Sequence, residues 1–217
     1  MNVRDGGEGE RRWEEAGRPI VPSLVVGDTV TPILHRSQIA ALLDLPAAAE
    51  GQATTLARDA TGILDAWVEH LRAVPFELLV APTPSRGRSL RNLTVNVFHP
   101  FELLPEAFRS GLFEWDPERD GEREASLADI DAVVSYADGI VGGWRRFVDE
   151  PETLDVDLEV ASLRGPISWS NLLAQQRWHA AFHYRQLTAF LADEGEPVDH
   201  PFRLEGLDGL DLPSEVF

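Results

Sequence analysis

The stretch that decides the fold is LARDATGILDAWVEHL, residues 56–71. Its apolar side chains recur three and four positions apart, at Leu56, Ala60, Ile63, Leu64, Trp67, Val68 and Leu71. Because an α-helix turns once in 3.6 residues, this spacing places all of them on one side. The pattern predicts an amphipathic helix over residues 48–74 that ends at Pro75, with a dry face that must pack against other elements.

Three further segments predict helices of the same kind. They begin near Ser89, run from Ser126 to about Val148, and run from Ser168 or Ser170 to Leu191. A Pro-, Gly- and Arg-rich connection over 81–88 precedes the first of them, and an acidic loop over 116–124 precedes the next. Pro100 and Pro105 are expected to interrupt the second helix, and a short extended piece is expected at 154–160. The pattern predicts a mainly α fold, with a four-helix bundle over residues 47–193.

The first 46 residues differ from the rest and predict a small β-α-β-β-α unit. Its strands are expected at Asn2-Val3, Ile20–Val26 and Val30–Leu34, and its helices at Glu8–Ala16 and Gln38–Leu45, the latter capped by Ser37. Gly27-Asp28 predicts a tight turn between the last two strands. The chain therefore divides into residues 1–46, 47–193 and 194–217, the last a polar tail expected to lie over the surface.

The run VPSLVVGD, residues 21–28, resembles the second half of a glutaredoxin or thioredoxin-like domain. In that family a cis-proline stands just before the third strand, and Pro22 occupies the matching position. The first strand and helix of that family, which would carry the redox cysteine, are missing, so redox activity is not implied. Half a sheet leaves an exposed strand edge, and a homodimer through that edge is one way to cover it.

Composition limits the classes of function. The chain has 37 acidic and 19 basic residues, a net charge of −18 that repels nucleic-acid backbones, so no nucleic-acid partner is expected. A local basic patch at Arg86, Arg88 and Arg91 is the one place expected to attract a small anion. There is no cysteine, which removes disulfides and thiolate metal sites. The apolar runs are too short to span a membrane and the N-terminus does not resemble a secretory signal, so a cytoplasmic protein is expected.

The fourth predicted helix carries two histidines, His179 and His183, four residues apart. On a helix this spacing places both rings on one face, within reach of one metal ion. His99, late on the second helix, is the candidate for a third ligand because metal sites in helix bundles use side chains from facing helices. The expected site is a divalent ion, zinc or nickel, held by His99, His179 and His183.

With these histidines, residues 47–191 resemble the DinB-like bundle superfamily, which includes mycothiol-dependent isomerases and bacillithiol or mycothiol S-transferases. In that family one metal histidine stands on the second helix and two stand four apart on the last helix, often followed by a glutamine. His99, His179, His183 and Gln186 match those positions. Gln186, Asn96, Arg91 and Tyr184 are candidates for supporting the ligands or binding substrate.

The resemblance implies a metal-dependent transferase or isomerase that uses a low-molecular-weight thiol of the mycothiol, bacillithiol or glutathione type as cosubstrate. Arg91, Arg177 and Arg185 are candidates for holding a substrate carboxylate, and Tyr184 or Glu102 for moving a proton. Two alternatives remain open. One is metal-assisted hydrolysis, although Ala180 stands where metalloproteases place a glutamate. The other is a noncatalytic, metal-stabilised binding or scaffold protein.

Overall fold

The architecture is mainly helical, with four long helices packed around one core. The structure, a computed structural model, describes residues 6–46, 51–84, 87–116, 120–150, 154–196, 202–207 and 209–216. The long helices are α3 (Ala53–Ala73), α5 (Leu90–Ser110), α7 (Ile130–Val148) and α8 (Trp169–Asp193). Helices α3 and α5 each pack against both α7 and α8. Trp67, Trp144 and Trp169 are fully buried between them, and each large apolar side chain contributes roughly 1.5–3 kcal/mol on burial.

The predicted helices are present, with some differences at their ends. Ser89, Asp129 and Ser168 cap α5, α7 and α8 through side-chain oxygens, so the third helix begins after Asp129 and not after Ser126. The prediction that the prolines interrupt the second helix is wrong, because α5 runs continuously through Pro100 and Pro105. Its buried face, which includes Phe98, Phe101 and Leu104, holds the helix together through packing.

Two short helices were not predicted. Helix α4 (Phe76–Val80) follows α3 directly, with Pro75 as its N-cap residue. Helix α6 (Asp120–Ser126) occupies the end of the acidic segment that was expected to be a loop, while residues 117–119 lie outside the described residues. Helix α6 packs against α5 and brings Asp120, only 2% exposed, into the interior.

A small sheet closes one end of the helices. Strand β3 (Leu112–Phe113) pairs in parallel with β4 (Glu159–Ser162), which pairs in antiparallel with β5 (Ile167–Ser168). In the parallel pair, Leu112 lies opposite Ala161 and Phe113 opposite Ser162. The sheet thus ties the end of α5 to the start of α8. The sequence predicted only one extended piece, at 154–160, and not the pairing of three strands.

The N-terminal unit has helix α1 (Glu8–Glu15), strands β1 (Ser23–Val26) and β2 (Thr29–Pro32) and helix α2 (Arg36–Leu42). The strands form an antiparallel hairpin, as predicted, and the Val21-Pro22 bond is cis. The predicted first strand, Asn2-Val3, lies outside the described residues. Helix α2 is capped by His35 and not by Ser37. The unit contacts the rest through Gln38, whose amide nitrogen donates to the carbonyls of Arg164 and Pro166 at 2.9 and 3.2 Å.

The C-terminal segment runs back along α8. The backbone N–H of Phe202 donates to the Tyr184 hydroxyl at 3.0 Å, and the Trp178 indole donates to the Asp211 carbonyl at 2.8 Å. A methyl group on Gly62 of α3 would lie 2.7 Å from the Phe202 ring, so this glycine leaves the space that the ring fills. Across the described ranges, no helix is both long and apolar enough to cross a bilayer.

Candidate functional site

Helix α8 brings two histidine rings together in the interior. The rings of His179 and His183 lie 4.7 Å apart, centroid to centroid, and perpendicular to each other. This confirms the shared face expected from their spacing. His183 is buried, whereas His179 is half-buried and keeps part of its surface open to solvent. The pair therefore lies where the interior of the helices meets partly exposed surface.

Gln186 fixes the orientation of His183. Its side-chain oxygen lies 2.7 Å from His183 Nδ1, so the ring donates its Nδ1 proton there. The amide nitrogen of Gln186 donates to the Val216 carbonyl at 2.8 Å. The glutamine is thus held from both sides, and the C-terminal segment supports the tautomer of His183.

Asn96 of α5 fixes the orientation of His179. Its side-chain oxygen lies 3.1 Å from His179 Nε2 and 3.5 Å from an Arg88 Nη1 donor, so it accepts from both. His179 therefore carries its proton on Nε2 and a lone pair on Nδ1. That Nδ1 is buried and has no hydrogen-bond partner. Buried polar atoms are rarely left unpaired, so this lone pair is available to a ligand.

The His179 ring is held neutral by its surroundings. Burial is the main cause that lowers its pKa well below the usual value, and the charges of His183, Arg88 and Arg164 lower it further. The Trp115 ring lies 5.2 Å away and closes one side. A neutral imidazole with a bare lone pair can accept a proton or bind a metal ion.

His99 lies in a different environment, which we call the His99 corner: His99, Glu102, Asp120 and Arg123. The Nδ1 of His99 lies 2.6 Å from the Asp120 carboxylate, so it donates there. Its Nε2 faces Arg123 Nη2 at 3.4 Å, and Arg123 pairs with Glu102 at 2.9 Å. Among the residues that the structure describes, no three His, Asp or Glu side chains lie close enough together to hold a metal ion.

The α5 side chain that contacts His179 is therefore Asn96, one turn before His99. Fit to a metal is partial. His99 and His183 each present Nε2 while an oxygen holds Nδ1, which is the arrangement that metal-binding histidines show. His99 contacts Asp120 and Arg123 and is not grouped with the α8 pair, so the three predicted ligands do not meet at one point. The three-histidine ligand set stays a prediction.

The remaining predicted residues divide between the site and the scaffold. Asn96 and Gln186 contact the histidine pair directly. Tyr184 lies elsewhere on α8, where its hydroxyl meets His70 Nε2 at 3.1 Å. Arg91 is directed to α6, with its Nε 3.5 Å from Glu124 and Nη1 donating to the Leu127 carbonyl.

The other two candidate arginines also have structural contacts. Arg177 pairs with Asp59 at 2.8 Å and ties α8 to α3. Arg185 donates to the carbonyls of Pro213 and Ser214 in the C-terminal segment. These contacts tie the two arginines to α3 and to the C-terminal segment.

Two residues at the site were not singled out from the sequence. Trp115 follows β3 and Arg164 follows β4, and both lie near His179. The pairing of two-residue strands carries too little periodicity to be predicted, so nothing indicated that these segments meet. Arg88 belonged to the predicted anion-attracting patch, of which Arg86 lies outside the described residues.

A groove of about 530 Å³ runs between α5 and α7, apart from the histidine pair, and is lined by Phe101, Glu102 and Tyr136 among others. No histidine lines this groove. The chain matches no protein-family model, no curated protein sequence and no solved structure.

Proposed function

We propose that this protein is a metal-dependent transferase or isomerase that acts on a small molecule with a low-molecular-weight thiol as cosubstrate. The observation that carries the proposal is the His179–His183 pair: two imidazole rings on one face of α8, 4.7 Å apart, of which His183 is buried and His179 half-buried. A DinB-like bundle, in which the last helix supplies two metal histidines, accounts for this pair and for the four long helices.

The chain's own residues prepare the pair for this role. Gln186 holds the His183 ring through Nδ1, and Asn96 holds the His179 ring through Nε2, which leaves His179 Nδ1 unpaired. The His179 ring thus offers a lone pair without first losing a proton, which favours metal binding near neutral pH. A bound divalent ion would supply the charge that favours a thiolate over a thiol.

His99 can become the third ligand only if the side chains around it rearrange. An ion on His99 Nε2 would have to displace Arg123, whose Nη2 lies 3.4 Å away. Asp120 would then support His99 as Gln186 supports His183. The ligand set His99, His179 and His183, with zinc or nickel, is thus a proposal in which Arg123 competes with the metal.

Elemental analysis of the purified protein, with Zn²⁺ and Ni²⁺ titrations, tests this proposal. His179→Ala and His183→Ala should remove most bound metal, whereas His70→Gln, which changes a buried histidine elsewhere, should retain it. Arg123→Gln should tighten binding severalfold if His99 is a ligand, because a competing cation is removed. Full metal content in His183→Ala would overturn the proposal, and full content in His99→Ala would remove His99 from the ligand set.

A second candidate is a noncatalytic binding protein. It is favoured by the absence, in the described part of the chain, of three side chains placed to hold an ion. In that case the histidine pair is a recognition site in which Nδ1 of His179 accepts a hydrogen bond from a ligand. Thiol-dependent turnover of electrophilic model substrates, lost in His179→Ala, would distinguish the enzyme from the binding protein.

A further inference from the structure

Two buried hydrogen-bond donors beside His179 have no acceptor. They are Nε1 of Trp115 and Nε of Arg164, both inaccessible to solvent and without a partner among the described residues. An indole N–H and a guanidinium Nε–H can only donate. Each such unpaired group costs free energy, so each of the two donors indicates an acceptor that belongs beside it.

The small sheet explains why these donors meet. Strands β3 and β4 are parallel, and their last registered pair is Phe113 and Ser162. Trp115 and Arg164 each lie two residues beyond that pair, on adjacent chain segments leaving the same edge of the sheet. Arg164 is held there by its neighbours, since its Nη2 donates to the Val21 carbonyl at 3.3 Å. The donors therefore belong to a fixed surface.

Two arginines lie near His179 in a protein whose net charge is −18. Arg88 and Arg164 are both close enough to lower the pKa of His179, and the carboxylate of Asp116 acts on Arg164. A guanidinium carries a positive charge, and its hydrogen bonds are strongest to anionic oxygens. The acceptor that the Arg164 Nε–H lacks is therefore expected to be an anion.

We propose that Trp115 and Arg164, with Arg88 beside them, bind a carboxylate group of a small molecule next to the His179–His183 pair. A carboxylate has two oxygens, which match two separate N–H donors, and charge-assisted bonds of this kind are stronger than neutral ones. The Trp115 ring supplies an apolar wall for the body of the ligand. As a substrate site this inference rests on the proposed function, whereas the carboxylate contact itself does not.

The side-chain N–H signal of Trp115 in a ¹H–¹⁵N NMR spectrum gives a direct test in the full-length, metal-free protein. Trp115→Phe identifies the signal by its disappearance. Succinate and benzoate should move it downfield in a saturable way, because the N–H gains an acceptor. Cysteamine, a thiol without a carboxylate, should leave it in place. No saturable shift with either acid, or tighter binding of inorganic phosphate than of both acids, would overturn the proposal.

Matched variants distinguish the hydrogen bond from Arg164 from a general effect of removing one positive charge. Arg164→Gln should weaken succinate binding about tenfold or more, and Arg164→Lys should fail to restore it because the ammonium group lacks the Nε–H. Arg109→Gln, which changes an arginine on the far face of α5, should bind as the unaltered protein does. Thermal melting checks that each variant is folded, and Trp115→Phe, which keeps an aromatic ring but removes the N–H donor, should also weaken succinate binding. Equal affinity in Arg164→Gln and Arg109→Gln would contradict the proposal.

Two sources of the carboxylate remain, the electrophilic substrate and the thiol cosubstrate. N-acetylcysteine carries both a thiol and a carboxylate, and succinate carries no thiol. If N-acetylcysteine moves the Trp115 signal at a much lower concentration than succinate does, the thiol cosubstrate supplies the carboxylate; the reverse order assigns it to the substrate. If the Trp115 signal shifts in a saturable way but the protein binds no metal, the metal-dependent function is rejected and the carboxylate site is kept. If the protein binds metal but the signal does not shift, the carboxylate site is rejected and the metal-dependent function is kept.

Discussion

The His99 corner and the His179–His183 pair place the same side chain in two different environments. His99 meets a carboxylate, Asp120, and an arginine, Arg123. His179 and His183 meet the amide oxygens of Asn96 and Gln186. A carboxylate stabilises a charged imidazolium, whereas an amide only orients a neutral ring. The partner, and not the histidine, thus decides how each ring is held, and among these three rings His179 keeps a buried nitrogen without a hydrogen bond.

The largest effect is expected at the His99 corner. Asp120→Ala removes a buried carboxylate that accepts from His99 at 2.6 Å and should lower the free energy of unfolding by about 2 kcal/mol. The unpaired Oδ2 of Asp120 limits the loss, because its desolvation is relieved. Asp120→Asn keeps an acceptor and should lose about half as much. Urea unfolding measures both, and a change under about 0.5 kcal/mol in Asp120→Ala would contradict a structural role.

The second prediction concerns pH and another buried histidine with a neutral partner. Burial lowers the pKa of His70, whose Nε2 meets the Tyr184 hydroxyl, while Glu69 opposes the shift. The unfolded chain takes up this proton near pH 6.5 and the folded protein does not, so the contribution is complete above about pH 6.5 and is lost as the pH falls below it. One proton changes stability by at most about 1.4 kcal/mol per pH unit.

His70→Gln should therefore flatten the dependence of unfolding free energy on pH between about 7.5 and 5.5, by up to one proton. Urea unfolding at several pH values in both proteins gives the difference in slope, which removes the contribution of other groups. An unchanged slope would show that His70 is protonated in the folded protein, and the rule that neutral partners keep a histidine neutral would fail.

A smaller effect is expected from His179→Leu in the metal-free protein. The change loses one hydrogen bond to Asn96, which still accepts from Arg88, and it removes an unpaired buried nitrogen. These two terms oppose each other, so the free energy of unfolding should change by about 1 kcal/mol or less in either direction. A loss as large as that of Asp120→Ala would mean that His179 is a scaffold residue.

The smallest effect is expected at the exposed side of the His99 corner. Glu102 pairs with Arg123 at 2.9 Å, but both side chains are more than a third exposed. Glu102→Gln should cost under about 0.5 kcal/mol, because solvent screens such pairs. A double-mutant cycle with Arg123→Gln gives the coupling. A value well above 1 kcal/mol would show that Arg123 is held rigidly, and so that it blocks His99 from a metal more strongly than the geometry indicates.

Sequence pattern predicted the four long helices because their apolar spacing persists over five or six turns. The same pattern placed His179 and His183 on one face, and the hairpin at Gly27-Asp28 followed from its turn residues. Pro100 misled the prediction because local breaking rules do not include the packing that keeps α5 helical through this proline. The starts of α5 and α8 were placed correctly, near Ser89 and at Ser168, whereas the predicted caps Ser37 and Ser126 were wrong, because His35 and Asp129 cap those helices.

The site was predicted only in part, for a different reason. The third side chain beside the pair depends on how α5 is rotated against α8, and one turn separates Asn96 from His99. Residue spacing within one helix does not contain that rotation. Trp115 and Arg164 meet through a parallel pairing of two residues on each strand, which joins segments 49 positions apart in sequence. Such long-range contacts leave no periodic signal.

The C-terminal segment should affect the fluorescence of Trp178. Trp178 is half-buried, its ring lies parallel to that of Phe182 at 5.3 Å, and its indole N–H is bound by the Asp211 carbonyl. Five of the six tryptophans lie away from this contact, so Trp178→Phe isolates its fluorescence by difference. Emission that moves to longer wavelength would report loss of the contact with Asp211. The same segment holds Gln186 and, through it, His183. The emission wavelength of Trp178 therefore reports whether the segment that supports the histidine pair is in place.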